Sequence, residues 1–129
     1  MSSLKMFRPT ETISNIVDHI VKTVVEAGPN PCPPLFLGIG IGGTSDIAML
    51  NSKKAVLQGI FKKHPDPLYR DLESEIMNRI NASNVGPLGF GGKNTVAGVY
   101  IIEAPAHIAS QPVALNLNCH SLRFRSREL

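Results

Sequence analysis

Four prolines within six residues constrain this chain more than any other sequence feature. The segment Pro29-Asn30-Pro31-Cys32-Pro33-Pro34 cannot form a helix or a central strand, because each proline ring fixes φ and removes an amide donor. We therefore predict a stiff, extended connection between two regular elements. This connection also fixes the direction in which Cys32 points.

Upstream of the prolines, the sequence predicts a helix that begins near Thr10 as the first regular element. Thr10 or Thr12 can cap its first turn, and Gly28 ends it. Apolar residues recur at three- and four-residue spacing, which is typical of one buried helix face. These residues are Ile13, Ile16, Val17, Ile20, Val21, Val24 and Val25.

Downstream of the prolines, short apolar runs alternate with helical patterns. This alternation predicts an α/β fold, a single domain over residues 1–129 with short buried strands in a mixed sheet flanked by helices. The predicted elements are a strand over Leu35–Ile41, a helix capped by Thr44 or Ser45 that runs to about Gly59, a helix over Pro67–Ala82, and strands over Thr95–Ile102 and Pro112–Leu117.

Composition excludes several classes of protein. No apolar run approaches the roughly 18 residues of a membrane span, and the N-terminal residues lack the apolar core of a signal peptide, so we expect a cytoplasmic protein with no membrane partner. The net charge of +3 is too small for a typical nucleic-acid binder. It suits a small anionic substrate. The basic groups include Lys62, Lys63, Arg123, Arg125 and Arg127.

The two cysteines, Cys32 and Cys119, lie beside predicted strands and form no Cys-x-x-Cys motif. A cytosolic protein rarely uses two cysteines as a disulfide, so each is either a small buried residue or a metal ligand. His107 stands in an apolar stretch, where an imidazole needs a specific partner. Local sequence leaves a structural role and a site role open for all three residues.

A glycine-rich turn offers a different function. Gly38, Gly40 and Gly43 fit the G-x-G-x-x-G spacing between a predicted strand and a helix, where backbone amides can hold an anion. The acidic ribose ligand expected about twenty residues later is absent, since Lys62 and Lys63 stand there. A nucleotide-binding α/β domain is therefore an alternative that depends on the glycines alone.

Two long segments resemble one known family. The sequences AGPNPCPPLFLGIGIGGTSDIA and NVGPLGFGGKNTVAGVYIIEAPAHIASQPVALNLNCHSLR are similar to the later part of the α subunit, or N-terminal catalytic domain, of class I fumarases and L-tartrate dehydratases. The resemblance implies a [4Fe–4S] cluster held by three cysteines, with Cys32 as the second ligand and Cys119 as the third. The family's first ligand lies in Cys-Gln-Asp-Thr-Gly, which this sequence lacks. We thus expect the C-terminal part of the cluster-binding domain, with the N-terminal part missing.

The same resemblance implies a reaction and its partners. It implies reversible hydration of fumarate to (S)-malate, with a cluster iron as Lewis acid and His107 as a catalytic, substrate-contacting residue. Gly42, Gly43 and Thr44 are expected to line the substrate site. The β subunit or C-terminal domain, and the missing N-terminal part, are the expected partners in an oligomer. The Gly-Phe-Gly-Gly-Lys and Ala-Pro-Ala-His segments favour fumarate hydratase. The alternatives are an L-tartrate dehydratase α subunit and a non-catalytic fragment that needs a partner chain.

Overall fold

The computed structural model describes residues 1–59, 62–121 and 127–128. Three helices and four strands make a single α/β domain, which confirms the predicted fold class. In chain order the elements are β1 (Ser2–Phe7), α1 (Ile13–Ala27), β2 (Leu35–Gly42), α2 (Ser45–Gly59), α3 (Pro67–Asn81), a short 3-10 turn (Pro87–Gly89), β3 (Val96–Ala104) and β4 (Gln111–Cys119).

The four strands form one mixed sheet in the order β1-β4-β2-β3. Strands β2 and β3 are parallel, and β4 runs antiparallel to its two neighbours, β1 and β2. Strand β4 therefore lies between the first two strands of the chain. At one end of the sheet Leu35 is opposite Cys119, and at the other end Gly42 is opposite Ala104.

The expectation that a helix is the first regular element is wrong, because β1 precedes it. Strand β1 reads Ser-Ser-Leu-Lys-Met-Phe and is exposed at most positions, so it shows no buried apolar run. Pairing with β4 places it in the sheet, from Ser2 opposite Asn116 to Phe7 opposite Gln111. A strand whose stability comes from one distant neighbour leaves little local signal.

The helices cover both faces of the sheet. Helices α1 and α3 pack against the face that carries Leu35, Leu37 and Ile39, while α2 packs on the opposite face. A Cβ on Gly38 would lie 2.0 Å from the backbone oxygen of Ser52, so only glycine lets α2 approach β2 this closely. The domain has three layers, with the larger apolar core on the α1 and α3 side.

The helix ends follow ordinary capping chemistry. The side chain of Thr12 accepts a hydrogen bond from the Asn15 amide at 3.2 Å, and Gly28 ends α1 with φ of 54°. Asp66 caps α3 by accepting from the Leu68 amide at 2.8 Å. Most of the predicted α1 stripe is buried, with Ile13 the exposed exception. No helix in these described ranges is long and apolar enough to cross a membrane.

A glutamate on α3 meets the outer edge of the sheet. The carboxylate of Glu73 accepts a hydrogen bond from the backbone amide of Ile101 on β3 at 2.8 Å. Partial burial raises the pKa of Glu73 above its ordinary value, and this effect outweighs the opposing effect of the Ile101 amide. The backbone amide of Ile101 on the edge strand is thus hydrogen-bonded, and the Glu73 carboxylate that accepts this bond is half-buried.

Candidate metal centre

The antiparallel run of β4 against β2 brings Cys32 and Cys119 together. Cys119 lies opposite Leu35 in the sheet, and Cys32 precedes Leu35 by three residues in the Pro-rich connection. Nδ1 of His120 lies 3.6 Å from Sγ of Cys119 and 3.4 Å from the carbonyl oxygen of Cys32, and the Cys32 side chain is near enough to help lower the pKa of Cys119. Both thiols are free, with Cys32 exposed and Cys119 half-buried. The structure therefore forms a surface-accessible pair of sulfur donors from two distant parts of the chain.

Cys32 has an unusual backbone. Its φ is 58°, in the left-handed region, and its amide donates to the carbonyl oxygen of Pro29 at 2.9 Å. The Pro33–Pro34 peptide bond that follows is cis. A left-handed conformation costs a non-glycine residue on the order of 1 kcal/mol and occurs often at functional sites. The surrounding chain therefore holds Cys32 in a conformation it would not adopt freely.

Hydrogen bonds from Ser121 favour the thiolate of Cys119. The Ser121 hydroxyl lies 3.3 Å from the sulfur and its amide 3.5 Å. The hydroxyl, and then the amide, lower the pKa of Cys119 below its ordinary value. Because the thiolate is the form that ligates metals, this shift suits Cys119 to a metal centre.

An imidazole adjoins both cysteines. Nδ1 of His120 lies 3.6 Å from Sγ of Cys119 and 3.4 Å from the carbonyl oxygen of Cys32. The only local sequence signal for His120 and Ser121 is their position directly after Cys119. Within residues 1–59, 62–121 and 127–128, no group of three or more His, Cys, Asp or Glu side chains is arranged to hold a metal ion. The pair thus supplies two sulfur donors and no complete ligand set.

The other predicted site residues lie at the opposite end of the sheet. Gly42 ends β2, Gly43 and Thr44 follow it, and His107 follows the parallel strand β3. A rise of roughly 3.3 Å per residue makes β2 about 23 Å long. The structure therefore does not bring His107, Gly42, Gly43 or Thr44 into contact with the two thiols.

The glycine turn is explained by close packing. A Cβ on Gly42 would lie 1.9 Å from the carbonyl oxygen of Ala104, and its φ is +83°. The Thr44 carbonyl accepts from the Ala48 amide at 2.8 Å in the first turn of α2. A hydrogen bond from the Thr44 side chain lowers the pKa of Asp46. These residues join β2 to α2, and these contacts account for Gly42 and Thr44.

The imidazole of His107 is exposed and has a backbone partner. Its Nδ1 accepts a hydrogen bond from the Ala109 amide at 3.1 Å, and its carbonyl accepts from Ser110 at 3.0 Å. When the ring is neutral, this contact places the proton on Nε2. His107 therefore presents a hydrogen-bond donor at the surface, at the end of the sheet away from the cysteines.

The glycines that suggested nucleotide binding are also used in packing. A Cβ on Gly40 would lie 2.0 Å from the carbonyl oxygen of Ala48, and Gly38 has the same closeness to Ser52. Helix α2 thus occupies the space beside these two residues. The nucleotide-binding alternative loses the feature on which it depended. Arg123 and Arg125, two of the basic groups considered above, lie outside the described residues.

Comparison with known proteins identifies the class. Residues 1–128 match the Fumerase family, described as fumarate hydratase (Fumerase), and the chain belongs to this family of hydro-lyases. A Methanocaldococcus jannaschii protein, named provisionally as L(+)-tartrate dehydratase subunit alpha, is 42% identical over 119 residues, 92% of this chain and 42% of that protein. The Escherichia coli K12 L(+)-tartrate dehydratase subunit alpha is 31% identical over 119 residues, 92% of this chain and 39% of the relative. The chain thus spans about two fifths of the length of these relatives.

Proposed function

We propose that this chain supplies Cys32 and Cys119 as two thiolate ligands of a [4Fe–4S] cluster in a hydro-lyase that acts on a four-carbon dicarboxylate. The observation that carries the proposal is the proximity of Cys32 and Cys119, which the pairing of β4 with β2 brings together from distant parts of the chain. Membership of the Fumerase family supports the same reading. The third ligand then comes from residues outside this chain.

The chemistry of the donor set fits the proposed group. Iron–sulfur clusters are held by cysteine thiolates, and Ser121 favours the thiolate form of Cys119. When bound, the cluster supplies a Lewis-acidic iron for the hydroxyl and carboxylate of the substrate. Cys32 and Cys119 would hold it at the end of the sheet where β4 pairs with the start of β2.

His107 has a separate role in the proposal. Its Nε2–H is free to donate to a substrate carboxylate because Nδ1 is engaged by the Ala109 amide. Gly42, Gly43 and Thr44 share its end of the sheet. This end is about 23 Å from the thiols, too far for a four-carbon dicarboxylate to reach both. We therefore assign His107 and the glycine turn to a substrate contact that forms only where assembly brings the cluster of another chain to this end of the sheet.

The proposal has two candidate substrates, fumarate and L(+)-tartrate. The description of the matched family favours fumarate, which would be hydrated to (S)-malate. The names of the relatives favour L(+)-tartrate, which would be dehydrated. Both reactions add or remove water at a carbon beside a carboxylate. An assay of the assembled enzyme with each substrate separates them through the ratio of kcat/KM values.

The proposed partner is a β subunit or a C-terminal domain, together with the chain that supplies the third ligand. The relatives are named as alpha subunits, and the described residues hold two cysteines and no complete metal cluster. We also place the enzyme in the cytoplasm, where a reducing environment keeps such cysteines free. Substantial hydro-lyase activity from this chain alone would contradict the need for a partner.

The test is anaerobic reconstitution with iron and sulfide, performed on the chain together with its partner pieces. We expect Cys32→Ser and Cys119→Ser each to lose most of the bound iron and acid-labile sulfide, because each removes a thiolate ligand. The measurement is iron and sulfide per protein, with the visible absorbance of the cluster. Full cluster content in both variants would refute the proposal.

His107→Ala is the matched control. His107 lies at the far end of the sheet and its side chain is exposed, so its removal should leave iron and sulfide content unchanged. If the proposed substrate contact is correct, the same variant lowers kcat/KM by about tenfold or more. The control thus separates loss of the metal centre from loss of the substrate contact.

A further inference from the structure

We propose that the glycine-rich loop over residues 84–94 positions Cys32, and that Gly89 is the point through which it acts. This inference rests on the proposed role of Cys32 and Cys119 as cluster ligands. The loop contributes no sulfur. It packs against the Pro-rich connection and so stabilises the conformation in which the two thiols lie close together.

The loop contacts the residues on both sides of Cys32. The amide of Leu88 donates to the carbonyl oxygen of Pro33 at 2.9 Å. A Cβ built on Gly89 would lie 2.9 Å from Cβ of Pro29 and 3.4 Å from its Cγ. Gly89 therefore packs its Cα against the Pro29 ring, with no room for a side chain.

Cys32 is sensitive to this contact because its own backbone depends on Pro29. The Cys32 amide donates to the Pro29 carbonyl at 2.9 Å, and this turn holds Cys32 at φ of 58°. A displacement of Pro29 therefore moves the turn that aims the thiol. A shift of about 1 Å is enough to misplace a ligand or a reacting group.

The loop itself is closed by a set of internal hydrogen bonds. The Gly91 amide donates to the Val85 carbonyl at 2.9 Å, and the Gly92 amide donates to the Asn84 side chain at 2.8 Å. The Gly86 amide donates to the hydroxyl of Thr95 at 3.0 Å. These bonds connect the two sides of the loop along its length.

The base of the loop is fixed to the domain. Oδ1 of Asn81, the last residue of α3, accepts from the amides of Thr95 and Val96 at 2.9 Å each. Its Nδ2 donates to the Val96 carbonyl at 3.2 Å. The contacts therefore run without a break from the end of α3, through the loop, to the residues beside Cys32.

The test compares Gly89→Ala with Gly91→Ala in the reduced, metal-free full chain. Both glycines have positive φ, +80° and +92°, so both variants carry similar backbone strain. A Cβ on Gly91 meets nothing closer than Asn84 at 3.8 Å, whereas one on Gly89 meets Pro29. The two variants therefore differ mainly in whether the added methyl group clashes with Pro29 in the Pro-rich connection.

The probe is phenylarsine oxide, which bridges two neighbouring thiols. Two As–S bonds form, the As–O bond breaks, and the oxygen leaves as water with the two thiol protons, while arsenic remains trivalent. Retention against a competing monothiol depends on how close the second sulfur is held. Intact mass spectrometry under native conditions reports the bridged product, and iron plays no part.

We expect the bridged adduct of Gly89→Ala to be displaced by a monothiol concentration about tenfold lower than that needed for the unmodified chain. Gly91→Ala should match the unmodified chain. Equal retention by all three would overturn the inference, as would failure of the unmodified chain to form the bridge.

Thr95→Val is a second variant that introduces no clash. It removes the hydroxyl that accepts from Gly86, so it should loosen the loop and weaken retention in the same direction. Unchanged retention in a folded Thr95→Val chain counts against positioning. If retention falls as expected and the unmodified chain takes up no iron with its partners, the positioning role stands and the cluster role fails.

Discussion

The acidity of the Cys119 thiol is controlled by a residue two positions later. Ser121 directs both its hydroxyl and its amide at Sγ of Cys119, at 3.3 and 3.5 Å. The hydroxyl is the larger cause of the lowered pKa. A hydrogen bond to the charged form of a group lowers its free energy relative to the neutral form. Ser121 therefore raises the fraction of thiolate without ligating a metal itself.

Removal of the Ser121 hydroxyl should make the thiol less acidic. In a Cys32→Ser background, which leaves one thiol, Ser121→Ala should shift the pH midpoint of Cys119 alkylation by iodoacetamide upward, because the hydrogen bond that lowers the pKa most is then lost. The rate near neutral pH should fall accordingly. Ser110→Ala, at the other end of the sheet, is the control. An unchanged midpoint in Ser121→Ala would contradict this account.

The sequence predicted some features of the site residues and not others. The prolines correctly indicated an irregular connection around Cys32, because proline chemistry is local. The expectation that it is extended was wrong, since the segment turns and the Cys32 amide donates to the Pro29 carbonyl. The left-handed φ of Cys32 and its contact with Cys119 depend on β4 running against β2, a pairing across most of the chain. The site residues themselves came from the family resemblance, and their roles remain a prediction. His120 and Ser121 were missed because a turn after β4 places them.

At the scale of single elements, helix α2 packs closely on strand β2 because two positions of the strand have no side chain. Gly38 and Gly40 leave room for the backbone of α2, where Cβ atoms would lie 2.0 Å from the carbonyl oxygens of Ser52 and Ala48. Both obstacles are helix backbone, which cannot rotate away. The distance between α2 and the sheet is therefore set by these two glycines.

Gly40→Ala should destabilise the protein by about 3 kcal/mol, because overpacking against backbone forces the whole helix to move. The measurement is the free energy of unfolding in urea. Gly98→Ala on β3 is the control, since its Cβ would meet the end of the Tyr100 side chain, which can rotate. A loss in Gly40→Ala no larger than that in Gly98→Ala would show that α2 adjusts freely.

Helices were easier to predict than strands. The α1 prediction depended on capping residues and on apolar spacing, and Thr12 and Gly28 act as its caps in the structure. The α3 prediction depended on apolar spacing alone, and Asp66 caps this helix in the structure. Strands β2, β3 and β4 were predicted from buried apolar runs, with ends one or two residues from those observed. Strand β1 was missed because its exposed positions carry no such run. The strand order could not be read from local patterns.

For the molecule as a whole, Glu73 links global stability to pH. Burial raises its pKa above the ordinary value of 4.5. The folded state therefore binds more protons than the unfolded state in the window from 4.5 up to the raised value. The contribution of Glu73 to stability is fully present below this window. It is lost as pH rises through the folded pKa.

Glu73→Gln should remove this pH dependence and keep the hydrogen bond, because the amide oxygen can still accept from Ile101. The variant should gain free energy of unfolding relative to the unmodified chain as pH rises through the window, and level off above it. Urea unfolding at several pH values measures this difference. Glu75→Gln, with an exposed carboxylate on the same helix, controls for charge. Parallel curves for Glu73→Gln and the unmodified chain would contradict the prediction.

The strand order has a consequence for how the protein forms. Ser2 pairs with Asn116 and Leu35 pairs with Cys119, so none of the strand pairs in the described part of the chain is a hairpin. Contacts this distant in sequence are slow to form, because a long loop must close before they contribute. During synthesis, β1 and β2 have no shared neighbour until β4 leaves the ribosome. Cys32 and Cys119 therefore meet only after β4 has paired with β2, so the paired thiols exist only on a chain in which these two distant strands have come together.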